Sequence, residues 1–123
     1  KYLDRAVASL NFIMHNKNLP DDLVPYWDFD APNIPNEPRD ASSAACVASA
    51  LYEMNEYLPD SGYATLADRI MQSLSTSEYR APLGKNGCFL LMHSVGSIPH
   101  NNEIDVPLNY ADYYFLEALT RRK

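Results

Sequence analysis

Residues 40–57 read DASSAACVASALYEMNEY, and this stretch sets the architecture. Asp40 has the short carboxylate side chain that caps helices by accepting hydrogen bonds from their first unpaired N–H groups. After it, Ala41, Ala44, Ala45, Ala48, Leu51 and Tyr52 recur at the three- and four-residue steps of one helix face. Side chains this small let another helix approach closely. The spacing therefore predicts a helix over 41–57 that packs tightly inside a larger helical assembly.

Three further helical patterns flank it. Over 2–16, Leu3, Ala6, Val7, Leu10, Ile13 and Met14 form an apolar stripe, with Asp4, Arg5, Ser9 and Asn11 elsewhere. Over 62–76, after the turn signal PDSG, the stripe is Tyr63, Leu66, Ala67, Ile70, Met71 and Leu74. Over 108–121, LNYADYYFLEALTR is apolar or aromatic on nearly every side, the mark of a helix buried on several sides. Between the last two helices, Cys88–Met92 reads as a short strand that pairs with Glu103–Val106 across a turn of Gly, Pro and Asn. The expected fold class is all-α, with alternating inner and outer helices and a short β-hairpin-like loop. No repeat is strong enough to define a solenoid by period. A closed twelve-helix barrel, at about 12 residues per helix plus loops, needs well over ~200 residues, so partner elements are expected beyond these four helices.

The totals exclude several classes. The chain has 123 residues, 46% hydrophobic and 21% charged, a globular balance and not a disordered one. A net charge of −6 argues against nucleic acid, which needs clustered Lys and Arg. The only basic run, Arg121–Lys123, suits a helix C-terminus. No apolar run approaches the roughly 20 residues of a membrane-spanning helix. The opening residues KYLDRAVASLNF are amphipathic and not signal-like, although a chain without an initiator Met says nothing of export this way. Cys46 and Cys88 lack metal-like spacing and read as two buried free thiols.

The candidate chemistry lies in VPYWDFDAPNIPNEPRDASSAA, residues 24–45. Trp27, Asp28 and Asp30 sit where Pro25 and Pro32 stiffen the chain. An indole beside carboxylates can cover the C–H face of a sugar while the acids accept its hydroxyls. Equally, Trp27 can plug the end of a helix bundle while the acids cap turns. Arg39 paired with Glu37 or Asp28, and Asp40 as N-cap, need no ligand. Yet an Arg beside a helix N-terminus is also a credible carboxylate or sulfate contact. His93 and Ser94 end the run FLLMHS, where His93 is either a ligand contact or a hydrogen-bonded loop residue. His15 and His100 read as surface residues. Nothing resembles a nucleophile elbow, and no metal-ligand spacing recurs. Acid pairs for glycoside chemistry would be Asp28 with Asp30, which face apart if extended, or Asp105 with Asp112.

Together, VPYWDFDAPNIPNEPRDASSAA and LLMHSVGSIPHNNEIDVPLNYADYYFLEAL resemble the C-terminal third of unsaturated glucuronyl hydrolases, glycoside hydrolase family 88. The resemblance implies that residues 1–123 are the C-terminal part of a single (α/α)6-barrel catalytic domain. It also implies an activity: removal of a 4,5-unsaturated uronic acid from the non-reducing end of lyase-generated oligosaccharides, by hydration of the vinyl ether double bond. No metal or organic cofactor is implied. The catalytic aspartates are expected upstream, so no catalytic residue is assigned within the chain. Trp27, Asp28, Arg39, Asp40, His93 and Ser94 are the expected substrate-contact or cleft-shaping residues. The implied partners are the unsaturated oligosaccharide and the missing N-terminal part of the same barrel, with no nucleic acid and no membrane. The periplasm or cytoplasm of a bacterium is the implied location. The alternatives are an unsaturated rhamnogalacturonyl hydrolase of the same fold, or a non-catalytic α-helical binding module.

Overall fold

A computed structural model describes residues 1–123, with four α-helices and one small sheet: α1 (Tyr2–Met14), α2 (Ala41–Tyr57), α3 (Tyr63–Leu74), β1 (Ser94–Ser97), β2 (Asn102–Val106) and α4 (Asn109–Arg121). Each helix lies within two residues of its expected bounds. α2 is the hub, packed against α3 on one side and α4 on the other. Ala41, Ala44, Ala45 and Ala48 are buried, and all four belong to the hydrophobic core. From α3 come Ala67, Ile70, Met71 and Leu74, and from α4 come Ala111, Phe115 and Ala118. Each fully buried Leu or Ile, such as Leu51 or Ile70, stabilises the fold by roughly 1.5–3 kcal/mol.

Polar stitches fix the α2–α4 register. Ser49 Oγ donates to Glu117 Oε2 at 2.5 Å, and Arg121 Nη1 donates to Ser49 O at 3.1 Å and pairs with Glu53 at 2.9 Å. Glu117 is thereby held below the ordinary carboxylate range, first by the Ser49 hydrogen bond.

Three expectations are corrected. The α4 helix is not buried on several sides: Tyr110, Tyr113, Leu116 and Leu119 are exposed, and only the Ala111–Phe115–Ala118 stripe is covered. The strand expected at Cys88–Met92 is displaced to Ser94–Ser97, which pairs antiparallel with Asn102–Val106. Residues 90–92 bond elsewhere: Asp112 accepts from Leu90 N at 2.7 Å and Leu91 N at 2.9 Å, while Met92 N donates to Tyr79 O at 2.8 Å. A segment whose N–H groups are taken by a helix side chain and by another loop has none to offer a sheet ladder. Finally, both cysteines are free but exposed. Cys46 lies off the stripe that faces α3 and α4, and Cys88 sits in a left-handed turn with φ +70°.

The α1 helix is the loosest element. It has no side-chain cap bond, and Leu10 is its only fully buried residue. Tyr2 and Phe12 project into solvent. An apolar groove of about 440 Å³ runs between α1 and α2, lined by Tyr2, Leu3, Ala6, Ala50, Met54 and Tyr57 among others.

Candidate functional site

The N-terminus of α2 gathers three distant segments. Trp27 N donates to Pro38 O at 3.0 Å, and Asp40 N to Pro25 O at 2.8 Å, folding the proline-rich loop back upon itself. Ala41 N donates to His93 O at 2.9 Å, and Asp40 Oδ1 accepts from Val95 N at 3.2 Å, bringing the β-hairpin to the same place. Asp40 also accepts from Ser42 N, Ser42 Oγ and Ser43 Oγ at 3.0, 2.6 and 2.5 Å. It is buried and fully committed, as an N-cap and as a clasp to the hairpin. Ser94 is also buried, and its Oγ has no hydrogen-bond partner within the chain.

Beside this junction opens a polar cleft of about 220 Å³, lined by Pro38, Arg39, Glu78, Tyr79, His93 and Asp105. Arg39 is not paired with Glu37 or Asp28 as expected. Its guanidinium pairs with Asp22 and donates through Nε to Val24 O at 2.9 Å, with the Tyr26 ring 5.2 Å from its central carbon. His93 takes φ +61°, a left-handed conformation that costs a non-glycine residue roughly 1–3 kcal/mol and persists only where surroundings impose it. Its Nδ1 meets Asp105 Oδ1 at 2.6 Å, which leaves Nε2 for a ligand. Asp105 is itself left-handed, at φ +54°.

Trp27 and Asp28 do not line this cleft. Trp27 Nε1 donates to Glu37 Oε2 at 2.8 Å, and Glu37 Oε1 accepts from Asn33 N at 3.0 Å. The acid beside the indole is thus Glu37, and these bonds hold its carboxyl below its ordinary 4.5, Trp27 contributing most. Asp28 closes a turn by accepting from Asp30 N at 2.8 Å, so it caps and does not pair with Asp30 as an acid couple. Asp105 and Asp112 are not a couple either, since one is taken by His93 and the other by the Leu90 and Leu91 amides. No three His, Cys, Asp or Glu side chains converge in metal-binding geometry.

Of the six candidates, the structure brings Arg39, Asp40, His93 and Ser94 to one junction and leaves Trp27 and Asp28 on the neighbouring loop, while Glu78 and Tyr79, which also line the cleft, were not among them. Their only local signal is a Tyr in the polar run SEYR after α3.

No family model matches the chain. An unsaturated glucuronyl hydrolase from Formosa agariphila is 48% identical over 123 residues, which is all of this chain and 31% of that protein. The crystal structure of an unsaturated glucuronyl hydrolase specific for heparin superposes with a TM-score of 0.95 at 47% identity, over 98% of this chain and 33% of that one. A mutant unsaturated glucuronyl hydrolase from Streptococcus agalactiae, solved in complex with dGlcA-GalNAc6S, has a TM-score of 0.76 at 33% identity, over 88% of this chain and 30% of that one. The chain spans about a third of the length of the relatives it matches. Over its whole length the chain is therefore similar to one part, about a third, of unsaturated glucuronyl hydrolases, and it shares their backbone there.

Proposed function

We propose that this chain is the C-terminal part of a single (α/α)6-barrel domain that hydrates the 4,5 double bond of an unsaturated uronic acid at the non-reducing end of an oligosaccharide. A proton is delivered to C4 and a hydroxyl to C5, and the resulting hemiketal opens to release the remaining sugar. The acid that delivers the proton belongs to the rest of the barrel. This chain supplies wall and binding groups, and the observation that carries the reading is the cleft where Arg39 and His93 meet at the N-terminus of α2. Arg39 offers charge-assisted donors to a carboxylate or sulfate. His93, braced by Asp105, offers its second ring nitrogen to a sugar hydroxyl. Asp40 and Ser94, buried next in sequence to Arg39 and His93, hold the backbone that carries those two residues, while Trp27 and Asp28 belong to the neighbouring loop. Relatives described as specific for heparin, and as binding a sulfated unsaturated disaccharide, support sulfated glycosaminoglycan fragments as the substrate class.

The test uses the full-length protein with unsaturated disaccharides from heparin, chondroitin and rhamnogalacturonan, following loss of the conjugated uronate absorbance. Turnover of the glycosaminoglycan disaccharides is expected. A lost hydrogen bond to a charged group costs about 1.5–3 kcal/mol, so Arg39→Ala should raise KM about tenfold to a hundredfold. Turnover of the rhamnogalacturonan disaccharide alone would move the substrate to pectin fragments. No turnover of any would leave a helical binding module.

A further inference from the structure

Asp22 and Tyr79 belong to no motif, yet the bonds around the cleft converge on them. Asp22 Oδ1 accepts from Val24 N at 3.1 Å and pairs with Arg39 Nη2, while Oδ2 accepts from Tyr79 Oη at 2.8 Å. Arg39 Nε donates to Val24 O at 2.9 Å. One edge of the guanidinium is therefore clamped by two acceptors from a single three-residue turn. The other edge, Nη1, is bonded to nothing in the chain, although Arg39 lines the cleft.

The turn holds an unfavourable conformation. Leu23 takes φ +63°, in the left-handed region that a branched side chain avoids. Relaxation there would carry Asp22 and the Val24 carbonyl away from Arg39. The Asp22 bond to Val24 N locks the turn from within, and Tyr79 anchors it from outside. Tyr79 is only 2% exposed, its carbonyl accepts from Met92 N, and its ring meets His93 edge-on at 6.3 Å. It thus joins the Arg39 wall of the cleft to the His93 wall. Burial, then the bond to Asp22, pushes its hydroxyl well above the ordinary tyrosine range, so it remains a donor.

We propose that Asp22 and Tyr79 are positioning residues: they fix the Arg39 guanidinium so that its free Nη1 edge is presented to an anionic group of the ligand. This rests on the role given to Arg39 under Proposed function. A guanidinium ordered before binding loses little rotamer freedom on meeting its anion, so loosening it weakens affinity before it slows chemistry.

The experiment places Tyr79→Phe and Asp22→Asn in the full-length protein, each alone and combined with Arg39→Ala, with an unsaturated glycosaminoglycan disaccharide as substrate. Tyr79→Phe keeps the buried ring and guards against a variant that fails to fold. Each single variant should raise KM, about threefold to tenfold, by more than it lowers kcat, and neither should raise KM further once Arg39 is alanine. Unchanged KM in both single variants, or an equal rise in the Arg39→Ala background, overturns the proposal. A second readout needs no turnover: solvent exchange of the Arg39 Nε–H, followed by 15N NMR, should quicken at least about tenfold in Asp22→Asn as local protection is lost. If the unaltered protein does not act on the disaccharide, the functional reading falls. The exchange rate still decides, because an unchanged rate overturns the positioning role.

Discussion

Asp40 illustrates how one carboxylate can serve two elements. It caps α2 and holds Val95 of the hairpin, so its removal leaves several donors unpaired in a buried place. A cap is worth about 0.5–2 kcal/mol and an unsatisfied buried donor about 1–3, so Asp40→Ala should destabilise the full-length protein by about 2–4 kcal/mol in urea denaturation. A loss below about 0.5 kcal/mol would show that the hairpin is held by other means. Glu37 gives a pH signature. Its folded pKa lies below 4.5, so its support of the Trp27 loop is complete above that value and fades as pH falls through the lower folded pKa. Trp27 fluorescence should therefore shift with a midpoint below 4.5, and Glu37→Gln should abolish that transition. The cap at Asp40 was legible because capping is local. The Asp22–Arg39 pair, and the Asp22–Tyr79 bond across 57 residues, were not, because nothing in a sequence window brings those positions together.

At the scale of elements, the helices over 2–16, 41–57 and 62–76 were readable from apolar period, and the one over 108–121 from its continuous apolar and aromatic character. The hairpin was not, because Ser94–Ser97 is short, polar and glycine-containing, while the more strand-like Leu90–Met92 spends its amides on Asp112 and Tyr79. The hairpin depends on Gly96: a Cβ there would meet Glu103 Oε2 at 2.1 Å and Glu103 Cβ at 2.8 Å. Gly96→Ala should cost about 1–3 kcal/mol through overpacking, measured by chemical denaturation. Glu103→Gly should recover most of it, because it removes the obstructing side chain and suits the left-handed φ of +53° at that position. Failure to recover would place the cost elsewhere.

For the molecule as a whole, α1 and α4 each leave an apolar face uncovered, and the chain spans about a third of the relatives' length. Tyr2, Phe12, Tyr113 and Leu116 are the large apolar side chains left exposed on these faces. The 123-residue chain alone should show no turnover of unsaturated disaccharides and should bind the apolar dye ANS strongly. Measurable turnover would put the proton donor within these residues. The need for missing partners was legible in the apolar girth of 108–121, whereas the cleft was not, since it forms between loops whose spacing carries no period. The alanines of α2 have a further consequence. Because α3 and α4 close on the helix that carries them, room for variation at Ala41, Ala44, Ala45 and Ala48 is nearly nil. Saturation mutagenesis of this helix would leave a barcode: intolerant positions at steps of three, one and three, interrupted by permissive ones such as Cys46, with evolutionary drift confined to the gaps.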